Sequence, residues 1–434
     1  MNIKYNNGRR KFIKKSLSVF SGIVIVPRHV LGRGFVSPSD KINLGFIGTG
    51  VQGRYLMKEF NKINEVNIIG ASDIELAKLD LFESDFKKNI ANFNKNKSSL
   101  GFKKKSSYHD IIKMKEIDAV VVATPDHWHA KNCIDALNNG LDVFCEKPTS
   151  HTLKEGRMIV DAVKKNKSIF QTGSMQRSWF VFRHAVELVR NGYLGTIKKV
   201  IVNVGDPAIP CDLPAETPPS TLNWDHWLGS APFRPYNSIL SPPVEQTHFP
   251  RWRFYEEYGG GILADWGAHM FDIAQWGLNQ DDSGPVRYIP PIKPNSKVGL
   301  KMFYKNGVEM EHNKYSPDGG FGVKFIGSDG NLIVTREKII TNPKSISKIK
   351  ISESQKRVYK SDNHYTDWIK SIKSRKDPIC NAEVGHRTSS ICQIGNIAYK
   401  LNQPLDWDPK KEVFSNNSKA NKLRGKKYRK PFKI

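Results

Sequence analysis

From residue 42 onward the chain alternates short apolar runs with stretches in which apolar positions recur every three or four residues. The run 42–47 predicts a buried strand, 52–63 a helix and 66–71 a second strand. A Lys/Asn-rich insertion at 86–105 interrupts the rhythm, which resumes with strands at 118–123, 141–145 and 168–172 and helices at 128–139 and 152–165. Gly140 stops the first of those helices. Strands alternating with helices predict an α/β domain with a parallel, doubly wound sheet.

Past Gly173 the pattern changes. A helix at 182–191 and a strand at 197–204 lead into a Pro/Trp-rich stretch at 206–250, whose length without a period points to a binding loop rather than a linker. A helix at 262–278 is followed by strands at 297–304, 308–312, 322–326 and 331–335, and helices at 362–374 and 383–401 close the pattern. Strands gathered without helices between them predict an α+β domain with an open, mainly antiparallel sheet.

The first strand runs into Gly48-Thr49-Gly50-Val51-Gln52-Gly53, which opens the first helix. Glycine suits such a turn because the chain bends tightly, the backbone must approach a pyrophosphate, and the helix must pack on the sheet. Asp73 ends the next strand, 20 residues past Gly53, where a carboxylate can accept both hydroxyls of a ribose. It would repel a 2′-phosphate, and Ile74 beside it offers no positive charge, so NAD is the expected cofactor. Asp73 can equally cap the following helix. The loop Thr124-Pro125-Asp126-His127-Trp128-His129 follows another strand and should border the same crevice. Its His-x-His pair lacks a third ligand in view, so no metal is expected and His129 reads as a cofactor-facing or capping residue.

Further along, Glu146-Lys147-Pro148 ends a strand and Asp265-x-x-x-His269 follows Gly259-Gly260-Gly261. Oxidising a carbinol requires the hydroxyl proton to leave, which calls for a base near neutral pKa. Asp265 and His269, four apart, should share one helical face, where the carboxylate could raise the imidazole's basicity or bind an adjacent hydroxyl. The Lys147 ammonium could stabilise a developing alkoxide. Together with the glycine turn and the Thr124-Pro125 loop, these marks resemble the glucose-fructose oxidoreductase, inositol 2-dehydrogenase and MocA (Gfo/Idh/MocA) family over most of residues 41–401. That resemblance implies catalytic roles for Lys147 and His269 with Asp265 assisting, and cofactor roles for Glu146, Pro125 and His129. It implies oxidation of a sugar, polyol or glycoside, and a dimer or tetramer paired through the second sheet. Some members instead hydrolyse glycosides by transient oxidation with tightly held NAD, and a non-catalytic dinucleotide or sugar sensor is a third reading. Arg177 and the loop residues Trp224, Trp227, Arg234 and Tyr258 are candidate substrate contacts, because aromatic faces stack on sugar rings and guanidiniums fork to hydroxyls or carboxylates.

At 434 residues the chain divides into a leader at 1–40, an NAD-binding domain at 41–173, a substrate domain at 174–410 and a basic tail at 411–434. The net charge of +26 is spread along Lys-rich stretches without a nucleic-acid recognition motif, and reads as a solvated basic surface. Cys133, Cys145, Cys211, Cys380 and Cys392 form no C-x-x-C pair and read as free thiols. No apolar run is long enough to span a bilayer. Arg9-Arg10-Lys11-Phe12-Ile13-Lys14 before the mildly apolar stretch 17–26 resembles a twin-arginine export signal, which predicts a periplasmic rather than cytoplasmic protein.

Overall fold

Ile47, Ser72, Val122 and Cys145 lie in register at one edge of a six-stranded parallel sheet, so the loops that follow them emerge side by side. The computed structural model describes residues 40–93, 101–245, 249–316, 319–415 and 417–434. The leader at 1–39, with its twin-arginine-like motif, lies outside the described residues.

The first sheet comprises β1 (Ile42–Ile47), β2 (Val66–Ser72), β3 (Lys103–Lys105), β4 (Ala119–Val122), β5 (Asp142–Cys145) and β6 (Phe170–Thr172) in the order β3-β2-β1-β4-β5-β6. The order reverses between β1 and β4, and a doubly wound sheet binds ligands in the crevice at such a switch point. The Ala-Val-Val-Val of β4 is fully buried because helices cover both faces. Leu79, Phe82, Phe86 and Ile90 recur every three or four residues and are buried, making helix Leu76–Phe93 out of much of the stretch expected as an insertion.

The second sheet has nine strands: β7 (Ile197–Asn203), β8 (Arg287–Ile289), β9 (Leu300–Phe303), β10 (Glu309–His312), β11 (Gly322–Gly327), β12 (Asn331–Val334), β13 (Ile339–Asn342), β14 (Leu405–Asp408) and β15 (Val413–Ser415). All neighbours pair antiparallel except β7 with β10. Its core lies against helices Phe180–Arg190, Gly267–Leu278 and Ala382–Leu401.

The two sheets do not share the chain as simply as the sequence suggests. Helix His364–Ser374 returns to the first sheet, where Trp368 is fully buried with its ring 5.5 Å from Phe60 and 5.6 Å from Phe144. Truncating an indole so placed costs about 3–5 kcal/mol. The stretch expected as a basic tail also packs down. Glu412 accepts hydrogen bonds from Arg157 at 2.6 Å and from His386 at 2.8 Å, Lys426 pairs with Glu155 at 3.1 Å, and Phe432 lies 5.7 Å from Trp128. Two of its basic residues, Lys426 and Arg429, thus pair with carboxylates of the folded body, Glu155 and Asp225, which the bare charge count does not reveal.

Candidate active site

The glycine turn is built as a phosphate cradle. Gly48 has φ +91°, and a Cβ there would stand 2.8 Å from the backbone of Ala123. A Cβ at Gly53 would stand 2.3 Å from the Gly48 oxygen, so this glycine lets the helix pack on the strand end. Gly50 has nothing within 4 Å of its Cβ position and lines a cavity of about 1630 Å³. Helix Val51–Asn61 begins there without a side-chain cap, leaving its first N–H groups for a ligand. Val51 and Gln52 line the cavity, whereas Thr49 and Gly53 stand behind it.

Asp73 lies in the cavity wall at the end of β2. One of its oxygens accepts from Thr49 N at 2.7 Å and Thr49 Oγ1 at 2.9 Å, and the other accepts from Glu75 N at 2.9 Å. The carboxylate therefore anchors the glycine turn and caps the next segment while staying beside the cavity. The Pro/Trp-rich segment comes alongside: Leu76 N donates to Thr221 O at 3.1 Å, Asn223 N to Ile74 O at 3.1 Å, and the Thr221 hydroxyl to Glu75.

The ends of β4 and β5 bring up the reacting groups. Thr124, Pro125, His129, Glu146 and Lys147 all line the cavity. The His129 ring sits between the carbonyls of Pro148 at 2.8 Å and Thr124 at 2.9 Å, and as a neutral imidazole with a single N–H it donates to one of the two. Burial, then cost of a second charge beside Lys147, lowers its pKa to about 4, so it acts as a neutral spacer. Glu146 accepts from Gln52 at 2.8 Å, joining the glycine-turn helix to the strand that carries Lys147. Lys147 Nζ reaches Asp265 twice, donating to Oδ1 at 2.6 Å and to the main-chain oxygen at 2.9 Å.

That second bond alters the helix expected at 262–278. The structure has two helices, Gly261–Asp265 and Gly267–Leu278, and the His269 N–H turns to the Trp266 carbonyl at 3.0 Å. Lys147 thus occupies a carbonyl that a continuous helix would have given to the His269 amide. His269 is buried, lines the cavity, and its Nδ1 has no partner among the described residues. Its pKa is pushed well down, first by burial and then by the charges of Lys147 and Arg336, which outweigh Asp265. Asp265 does raise the imidazole's basicity as expected, but desolvation prevails and His269 is neutral. Burial would raise the pKa of Asp265, but Lys147 and Arg253 prevail and hold it at about 2.

Three candidate substrate contacts fall elsewhere. Arg177 is 1% exposed and locked between Asp272, at 2.8 Å twice, and Asp281, at 2.8 and 2.9 Å. Arg234 turns inward to the carbonyls of Cys211, at 3.1 Å, and Leu213. Tyr258 is fully buried in the aromatic cluster beneath the Pro/Trp-rich segment. None of the three lines the cavity: the two arginines bond to the protein itself, and Tyr258 is packed among aromatic rings. Trp224 and Trp227 do line it, stacked on each other at 4.6 Å.

Among the lining residues that escaped the sequence reading are Asp126, Arg253, Trp266 and Arg336. Asp126 follows Pro125 directly, and its place in the loop was the available signal. Its buried carboxyl has a pKa well above the ordinary range, through burial and then the nearby Asp265 charge. Arg253 pairs with Asp265 at 3.4 Å over the Trp252 ring. Arg336 comes from the β12–β13 hairpin, where no local pattern marks it.

Comparison with known proteins agrees with this geometry. Residues 42–174 match the family model "Oxidoreductase family, NAD-binding Rossmann fold" and 207–434 match "Oxidoreductase family, C-terminal alpha/beta domain", both of the Gfo/Idh/MocA group. An uncharacterized oxidoreductase of Streptococcus pneumoniae is 31% identical over 156 residues, covering 36% of this chain and 38% of that protein. A glycosyl hydrolase family 109 protein of Shewanella sp. is 26% identical over 212 residues, covering 44% and 45%. These matches span less than half of either relative. The WlbA dehydrogenase of Bordetella pertussis, solved with NADH and UDP-GlcNAcA, shares the fold with a TM-score of 0.58 at 15% identity, over 85% of this chain and 99% of that one. With the two family models matched over residues 42–174 and 207–434, the chain belongs to the Gfo/Idh/MocA oxidoreductase family and carries that family's NAD-binding Rossmann domain.

Proposed function

We propose that the protein oxidises a carbinol carbon of a sugar, polyol or glycoside with NAD. The observation that carries this reading is the meeting of Lys147, Asp265 and His269 in the cavity whose other end holds Gly50 and Asp73. The cradle, the uncapped helix start and the carboxylate fit a dinucleotide. Bound NAD would supply the hydride acceptor. Lys147, fixed by two bonds to Asp265, donates to the carbinol oxygen and stabilises charge growing there. His269, kept neutral by burial, accepts the hydroxyl proton. Asp265 remains ionised throughout the working range and holds the ammonium in place.

A second reading has a specific support. The bonds of 221–223 to 74–76 lay the Pro/Trp-rich segment along the Asp73 wall, an arrangement suited to retaining NAD. Retained NAD permits redox-neutral glycoside cleavage, and one relative is named a family 109 glycosyl hydrolase. Export through a twin-arginine signal would favour the same retention, since no free NAD is supplied outside the cytoplasm.

The test is to purify the protein, release and identify any bound nucleotide, and screen sugars and glycosides for NADH absorbance and aglycone release. NADH accumulating with free NAD supports net oxidation, and aglycone release without NADH supports the recycling version. Neither signal, with sugar binding unaffected by Lys147→Ala, would leave a sensor.

A further inference from the structure

The cations around the reacting groups are not equally satisfied. Lys147 and Arg253 both lean on Asp265, at 2.6 and 3.4 Å, and Arg253 also donates to the Pro250 carbonyl at 3.0 Å. Arg336 makes no ion pair among the described residues, although it lines the same cavity. Its guanidinium lies 4.2 Å from the Trp266 ring and 5.5 Å from the Trp179 ring. With the Gln176 amide turned to present its oxygen, Arg336 donates to it from Nε at 2.8 Å and Nη2 at 3.0 Å. Indoles and amide thus fix the plane of the fork, and Nη1 is left without a partner among the described residues.

We infer that the substrate carries an anionic group, a carboxylate or a phosphate, which the Arg336 fork receives while Lys147 and His269 face the carbon to be oxidised. The inference rests on the oxidation proposed above and narrows its substrate from sugars in general to acidic ones. Three arguments support it. A guanidinium oriented by stacking has already lost the freedom that binding an anion would cost, and its planar donors match a carboxylate or phosphate two at a time. Burial lowers the pKa of Arg336 even though the Asp265 carboxylate pulls the other way, as expected of a cation held partly out of water with no ion pair of its own among the described residues. The stacking surface is Trp266, the residue between Asp265 and Gly267 at the helix break, so the fork adjoins the chemistry rather than the ribose end of the cavity. Arg177 supplies the contrast: a guanidinium with structural duty has two carboxylates of its own.

The test uses the full chain loaded with NAD and two matched series of probes: D-glucose, D-glucuronate and D-glucose 6-phosphate, and their galacto counterparts. Binding is followed by calorimetry and NADH formation by absorbance. In at least one series the acid or the phosphate should bind about 10- to 100-fold more tightly than the neutral sugar, the size of a charge-assisted bidentate contact, and which of the two binds names the anion. Arg336→Gln should bring that ratio close to one, while Arg336→Lys, which keeps the charge without the fork, should keep part of it. Thermal melts establish that both variants are folded. No preference for an anion in either series, no binding of any anionic probe, or a preference that survives Arg336→Gln would overturn the inference. Anion preference without NADH or any turnover would instead leave it standing and count against the oxidation.

Discussion

Helix Gly267–Leu278 meets one charged cluster at His269 and another three residues on, at Asp272, and they are opposites. At His269 the helix meets the cavity, where Lys147 and Arg253 share the carboxylate of Asp265 and Arg336 has no ion pair among the described residues. At Asp272 it meets Arg177, both buried, and the half-buried Asp281 completes a set of four side-chain bonds between 2.8 and 2.9 Å. Thr388 adds a further bond to Asp272 at 3.0 Å. One cluster closes on itself, and the other leaves donors open. A charge whose partners all come from the chain holds the fold together; a charge that lacks them waits for a ligand.

Substitutions should separate the two clusters by what they damage. Lys147→Met is expected to lower kcat by about 10²- to 10⁴-fold, the range for a lost proton-transfer or oxyanion group, with NAD affinity retained in a fluorescence titration. Arg177→Met should do the reverse. Asp272 would stay buried without its partner, costing about 3–5 kcal/mol in a urea unfolding curve, and activity should fall only as the protein unfolds. Asp265→Asn should reduce kcat/KM by about 10- to 100-fold, because Lys147 keeps a hydrogen-bonding partner but loses the charge that fixes it. If that variant instead lost stability as Arg177→Met does, the division into an open and a closed cluster would fail.

A smaller effect concerns pH. Burial pushes the imidazoles of His127 to about 3 and of His129, His312 and His364 to about 4, against an ordinary 6.5. Each depressed pKa means that the unfolded chain takes up a proton that the folded one refuses. Their contribution is therefore complete above pH 6.5 and lost progressively as the pH falls toward 4. Burial raises the pKa of Asp126, Glu146 and Asp272, which work in the other direction, but the histidines are more numerous. Tm should decline between pH 7 and pH 5, and a flat profile would mean these rings are not held neutral.

The nucleotide end was legible because its chemistry is local. A tight turn, a helix start and a strand-end carboxylate fall within 26 residues, from Gly48 to Asp73, and each is required by the one before it. Lys147 and His269 could be named from short motifs, but not their environment, since desolvation of the imidazole depends on packing from distant elements. The substrate end was the least legible. In sequence Arg177 and Arg336 look alike, and only the fold places Asp272 and Asp281 around one and indole rings around the other. Helix His364–Ser374 and the packed C-terminal stretch were misplaced for the same reason: their partners, Phe60, Phe144, Arg157 and Glu155, lie 200 residues or more away in the chain.

All of this depends on one cavity joining the dinucleotide cradle to the lysine and histidine. A crystal structure of the NAD complex tests it most directly. The account predicts the adenosine ribose on Asp73, the pyrophosphate over Gly50, and the nicotinamide ring beside Lys147 and His269. A nicotinamide directed away from both side chains, or a nucleotide bound outside this cavity, would contradict it.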